Sequence, residues 1–157
     1  MAIDSIDRAL LKALQADAAE PVSVVAARIG VSQSQCWRRI RRREEGGYIS
    51  RRVALLDRRK ANVPLTVFVT LRTARHSAEW LDGFRRAISP ITEVVEAWRL
   101  TGRDDYLIKL VLPDVDAYDR VYQRLIEKVE FLDVSASIAM EEMKFTTEIP
   151  TTYYEVK

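Results

Sequence analysis

The chain has 157 residues, 48% hydrophobic and 31% charged, with 5 glycines and 5 prolines, a balance that fits a folded water-soluble protein and excludes a disordered or collagen-like one. The longest largely apolar run, residues 63–71, is far short of the ~20 residues of a membrane helix, the acidic opening lacks the pattern of a signal peptide, and the lone Cys36 permits neither an internal disulfide nor a cysteine-rich metal site. Charge is unevenly spread: residues 1–60 hold 13 basic against 7 acidic side chains, residues 61–157 hold 12 against 16, so the front is built to face a polyanion. A cytoplasmic location is expected, without membrane, metal or cofactor.

From the amino end, Ile6, Leu10, Leu11 and Leu14 recur at helical spacing over residues 4–17, with Asp4 or Ser5 as N-cap. Pro21 interrupts, Ser23 is placed to cap a short helix over residues 24–29, and Gly30 ends it. Ser32 followed by Gln35 fits a capping box opening a further helix, with Cys36 and Ile40 on one face and Gly46 and Gly47 at its close. Two helices joined by Gly30, Val31 and Ser32 have the spacing of a helix-turn-helix. Residues 48–56 read as a strand, which would make the domain winged, and residues 57–62 are the polar stretch suited to a domain junction.

Beyond it, Leu65, Val67, Val69 and Leu71 alternate with Thr66, Phe68, Thr70 and Arg72 as a half-buried strand, and Ser77 caps a helix carrying Trp80, Leu81, Phe84 and Ile88. Residues 91–100 and 106–112 read as strands around the turn at 101–105. Pro113 and Asp114 open a helix with Tyr118, Val121, Tyr122, Leu125 and Ile126 inward, and residues 132–140 form a last strand. The order β-α-β-β-α-β is ferredoxin-like and leaves one sheet face without helices, a face suited to another subunit. The expected fold is α+β: a winged helix-turn-helix domain with linker strand over residues 1–60 and a ferredoxin-like domain suited to oligomerisation over residues 61–157.

The strongest chemical signal is Arg38, Arg39, Arg41, Arg42 and Arg43 on the second helix of the pair. Guanidinium groups suit phosphate because their planar forks donate two hydrogen bonds to one anion at any relevant pH. Ser32, Gln33, Ser34 and Gln35 at the helix start are short polar groups able to reach base edges in a major groove. A charge run alone usually marks a solvated helix face; its place in a helix-turn-helix turns the reading to double-stranded DNA. Trp37 can stack on the DNA backbone or pack against the neighbouring helix, and Cys36 reads as a small core residue. His76 stands in no recognisable motif, and no metal, phosphate-loop, dinucleotide or acid–base pattern is present, so an enzyme is not expected.

In the acidic half, the turn of Thr101, Gly102, Arg103, Asp104, Asp105 and Tyr106 combines a glycine, whose bare N–H groups suit a carboxylate, with carboxylates that suit an ammonium. Those are the two poles of a free amino acid; a tight hairpin needs the same residue types. Ser135 and Ser137 alternate with apolar neighbours and would place their hydroxyls on the open sheet face, lining the same site or a subunit contact. Trp98 reads as core.

Residues 3–8 and 14–17, then Gly30-Val31-Ser32 and Arg38-Arg39-Ile40-Arg41-Arg42, resemble the Lrp/AsnC family of transcriptional regulators. Gly102-Arg103-Asp104-Asp105-Tyr106-Leu107 is similar to its effector loop. Within the family, Cys36-Trp37-Arg38-Arg39, Val53-Ala54-Leu55-Leu56-Asp57, Ala139-Met140-Glu141 and Lys144-Phe145-Thr146-Thr147 look most like cysteine-responsive activators of cysteine degradation. Arg43 departs from the family's usual Leu, so that helix end packs differently or gains a phosphate contact; Arg103 departs from the usual first loop residue. The resemblance implies a dimer on pseudo-palindromic promoter DNA, four dimers forming an octamer, and an amino-acid effector held near subunit contacts. The rival readings are a constitutive architectural DNA-binding protein whose second domain serves only assembly, and an enzyme subunit with an incidental basic helix.

Overall fold

The structure, a computed structural model, describes residues 3–154. In α1 (Ser5–Ala16) the cap is Asp4 rather than Ser5: its carboxylate accepts the Asp7 N–H, and the Asp7 carboxylate accepts the Asp4 N–H. For α2 (Val22–Ile29) the expected Ser23 cap gives way to Pro21, whose missing N–H is no loss at a helix start, and Ser23 falls in the first turn. Gly30 stops α2 with φ 73°, a left-handed conformation that suits glycine. The capping box of α3 (Gln33–Glu45) forms as expected, Gln35 N–H donating to Ser32 Oγ at 3.3 Å and Ser32 N–H to Gln35 Oε1 at 3.2 Å. The apolar centre of these helices is Leu10, Ala13, Val25, Ala26, Cys36 and Ile40.

Residues 48–56 form no strand, and Val53, Leu55 and Leu56 lie exposed. A strand exists through hydrogen bonds to a neighbour, and no segment among the described residues pairs with this one, so no wing is built.

The second half follows the expected order: β1 (Leu65–Arg72), α4 (Ala78–Ile88), β2 (Val94–Arg99), β3 (Tyr106–Leu112), α5 (Val115–Ile126) and β4 (Asp133–Ile138). The strands lie β2-β3-β1-β4, every neighbouring pair antiparallel. Alternation sends Val67, Val69, Leu71, Tyr106, Ile108, Leu110 and Leu112 to one face, where they pack with Phe84 and Ala87 of α4 and Ala117, Val121 and Leu125 of α5. The register puts Thr70, Phe68, Leu107, Lys109, Ser135 and Ser137 on the other face. Two expected core residues stand outside. Trp98 lies on that open face opposite Leu107 and is 58% exposed. Ile126, at the edge of the apolar stripe of α5, is exposed.

The chain divides into two compact units, Met1–Ala54 with Lys144–Lys157, and Leu55–Met143. Composition alone places the boundary near residue 60 and keeps the C-terminus with the sheet. Instead the tail rejoins the helical unit, where the Gln15 amide bonds the backbone of Ile149.

Candidate nucleic-acid and ligand sites

The outward half of α3 carries Gln33, Ser34, Trp37, Arg38, Arg41 and Arg42, all exposed. Steps of 100° per residue place these six on one half of the helix and Cys36, Arg39, Ile40 and Arg43 on the other. Trp37 is 53% exposed, and the Arg41 guanidinium lies 5.5 Å from its ring centre.

Two arginines expected at phosphates are turned inward. Arg43 is 1% exposed and donates to Asp7 Oδ2 at 2.7 Å, with its guanidinium 5.2 Å from the Tyr48 ring centre. Arg39 donates from one nitrogen to Asp4 Oδ2 at 2.7 Å and to Asp7 Oδ1 at 2.8 Å. The reason is spacing: residues 39 and 43 are one turn apart on the face that meets α1, where Asp4 and Asp7 are also about one turn apart. Arg43 thus resolves its departure from the family pattern in favour of different packing. The pairing was present in the sequence as two carboxylates and two guanidiniums at matching intervals, a signal masked by the length of the basic run.

These contacts shift protonation. Burial works against the charge on Asp4, but the Asp7 N–H and the Arg39 guanidinium outweigh it and hold the Asp4 carboxyl below its ordinary value. Burial likewise opposes the charge on Arg39, yet the Asp7 and Asp4 carboxylates keep its pKa raised. Burial pushes the Cys36 thiol up, away from thiolate chemistry. Ser32 and Gln35, read as base contacts, are engaged with each other in the cap, although Gln35 keeps its amide N–H2.

At the other candidate site, the turn between β2 and β3 is closed by Leu100 N–H to Asp105 O at 2.8 Å. Gly102 adopts φ 121°, which a side chain would strain. Asp105 serves as a structural tie. Its N–H donates to Leu71 O at 2.9 Å, and its Oδ2 accepts the Thr73 N–H at 2.8 Å, fastening the turn to the chain after β1. Its Oδ1 faces His76 Nε2 at 3.9 Å. Thr101, Gly102 and Arg103 are exposed and Asp104 is half-buried.

Tyr106 leaves this set as a side-chain contact. Its ring is 5% exposed and lies 5.2 Å from Trp80 and 5.0 Å from Phe84 in the core, because residue 106 occupies an inward position of β3. Asp133 pairs with Arg72, Ser135 with Thr70 and Ser137 with Phe68, so each serine stands roughly 7 Å further from the turn than the residue two before it. Ser135 is at the turn end of the open face and Ser137 toward its middle. Thr73 and His76 escape a sequence reading, since only the strand register brings residues 73–76 beside the turn. On the same face Lys109 Nζ meets Glu96 Oε1 at 2.8 Å, a bond that lowers the Glu96 pKa. Among the described residues no cluster of metal ligands is assembled and no helix is long and apolar enough to cross a membrane.

Residues 3–42 match the AsnC-type helix-turn-helix domain and residues 66–149 the Lrp/AsnC ligand binding domain. The chain is 45% identical over 151 residues to the HTH-type transcriptional regulator Zrp of Zymomonas mobilis, covering 96% of this chain and 99% of that one. A crystal structure of an AsnC family transcriptional regulator from Agrobacterium tumefaciens superposes with a TM-score of 0.91 at 50% identity, covering 94% of this chain and 97% of that one. A transcriptional regulator of Neisseria meningitidis, solved as its complex with L-methionine, superposes with a TM-score of 0.90 at 26% identity, covering 96% and 97%.

Proposed function

The chain belongs to the Lrp/AsnC family of transcriptional regulators, which are not enzymes, and from that premise we propose that it binds promoter DNA sequence-specifically in the cytoplasm and answers to a free amino acid. The observation that carries this reading is the pairing, in one chain, of an outward arginine-rich helix face with a glycine turn in which Asp105 Oδ2 is tied to the Thr73 N–H while Oδ1 faces His76 Nε2 at 3.9 Å. Gln33 and Ser34 read base edges near the start of α3, with the Gln35 amide beside them. Arg38, Arg41 and Arg42 contact phosphates, Trp37 stacks against the backbone, and Arg39 and Arg43 hold the helix in place.

At the turn, Gly102 N–H and Arg103 hold the effector carboxylate, while Asp105 Oδ1 and Asp104 take its ammonium and Ser135 supports it from the open face. The L-methionine complex of the Neisseria meningitidis relative supports an amino acid as the ligand class; cysteine is the first candidate here, from the resemblance of the segments around Cys36 and residues 144–147. The open sheet face, with Phe68 and Trp98 exposed, supports pairing of two copies, and four such dimers would form an octamer.

The test is an operator titration with and without each of the twenty amino acids, beside a thermal-shift screen in which a ligand of the folded state raises the melting temperature. One amino acid, cysteine first, should both stabilise the protein and change operator affinity about 5- to 150-fold. A chain that binds the operator with no response to any amino acid would be an architectural protein, and the effector reading would fall.

A further inference from the structure

We propose that the C-terminal tail, residues 144–154, positions the DNA reader: docked on Gln15 and Tyr48, it braces α1 and the end of α3 and holds the recognition helix in its DNA-binding pose. The proposal rests on DNA binding by α3 and not on the identity of the effector.

The sheet unit ends at Met143, and from Lys144 the chain belongs again to the helical unit. There the Gln15 side chain donates from Nε2 to Ile149 O at 3.2 Å and accepts the Ile149 N–H on Oε1 at 2.8 Å. In an extended chain, the N–H and C=O of one residue point to the same side, so a single carboxamide satisfies both, as a neighbouring strand would. Pro150 follows directly, and a residue before proline is pushed into the extended region. The sequence thereby prepares Ile149 for this contact before it docks. Thr146 Oγ1 accepts the Glu148 N–H at 3.0 Å and shapes the approach. The Ile149 side chain is 63% exposed, so recognition here is of backbone.

A second hold lies five residues on. The Tyr154 ring meets Tyr48 edge-on, with centres 5.9 Å apart and planes at 70°. Tyr48 lies just past α3 and sits against the Arg43 guanidinium, which bonds Asp7 of α1, which in turn bonds Arg39 of α3. The tail therefore touches α1 at Gln15 and, through Tyr48, the ionic cluster that fixes α3 to α1. None of these residues is on the outward face of α3, so their contribution to DNA binding is through its pose.

The experiment uses full-length protein carrying Gln15→Leu, Tyr154→Ala or Ile149→Ala, and a chain stopped after Thr147, titrated against an operator across a salt series. Gln15→Leu and the shortened chain should weaken operator binding about five- to tenfold, the scale of one to two net hydrogen bonds. Their salt slope should match wild type, because no phosphate contact is removed. Tyr154→Ala should lose about threefold, and Ile149→Ala less than twofold. Ile149 N–H exchange should be slowed in wild type and fast in Gln15→Leu. Titrations are run well below every variant's melting temperature, so that weakened binding reports pose. The proposal is overturned if Gln15→Leu and the shortened chain both bind within twofold of wild type, or if affinity is lost only where circular dichroism shows the helices melting.

Discussion

The helical unit and the sheet unit of this protein are held together by different means. The sheet unit buries a continuous set of 14 apolar residues, from Val67 on β1 to Val129 after α5. The helical unit gathers six, mostly small, and beside them buries Asp7 and Arg43, each 1% exposed. Three short helices cannot remove enough apolar surface from water to fix their packing by burial alone. A buried ion pair adds little net stability, but it is intolerant of misplacement, since a shifted α3 would leave a charge without its counter-charge. The apolar core makes the sheet stable; the ionic cluster sets the register between α1 and α3.

That contrast can be broken by substitution. Asp7→Asn removes the Asp7 carboxylate from both Arg43 and Arg39 and should destabilise the helical unit by about 3–5 kcal/mol in urea unfolding, leaving the sheet unit folded. Arg43→Leu should cost clearly less, because Asp7 keeps Arg39 at 2.8 Å; equal losses would refute the ionic account. In the sheet unit, Leu110→Ala should cost about 2–5 kcal/mol through its cavity, without altering intrinsic DNA contacts. On the outward face, Arg42→Ala should lower the magnitude of the salt slope of operator binding by about one with little change in melting temperature. Arg43→Leu should leave that slope unaltered, and a reduced slope there would return Arg43 to the DNA surface.

The smallest effect concerns pH. Asp4 is held below its ordinary value of 3.8, so the stability it contributes is complete above that value and is lost as pH falls through the lowered one. Asp4→Asn should lower helical-unit stability modestly at pH 7 and converge with wild type in acid, so that its acid limb below about pH 4 is flatter. An acid limb identical to wild type would show that the Asp4–Arg39 contact at 2.7 Å carries no such linkage.

By itself, the sequence determined the order of the helices and of the four strands of the sheet, the capping box of α3, the stop of α2 at Gly30 and the alternation that divides Val134 and Ala136 from Ser135 and Ser137. All of these depend on neighbours a few residues apart, where backbone geometry leaves few choices. What only the tertiary structure decided was partnership between distant residues. Whether a guanidinium in the run 38–43 faces DNA or a carboxylate depends on the approach of α1, which places Asp4 and Asp7 against Arg39 and Arg43. Whether Asp105 is free for a ligand depends on β1 delivering Thr73 beside it. The strand expected at residues 48–56 failed to form for the same reason, because pairing belongs to two segments and a local pattern describes only one. The tail, with no periodicity to announce it, found its place through one amide and one ring.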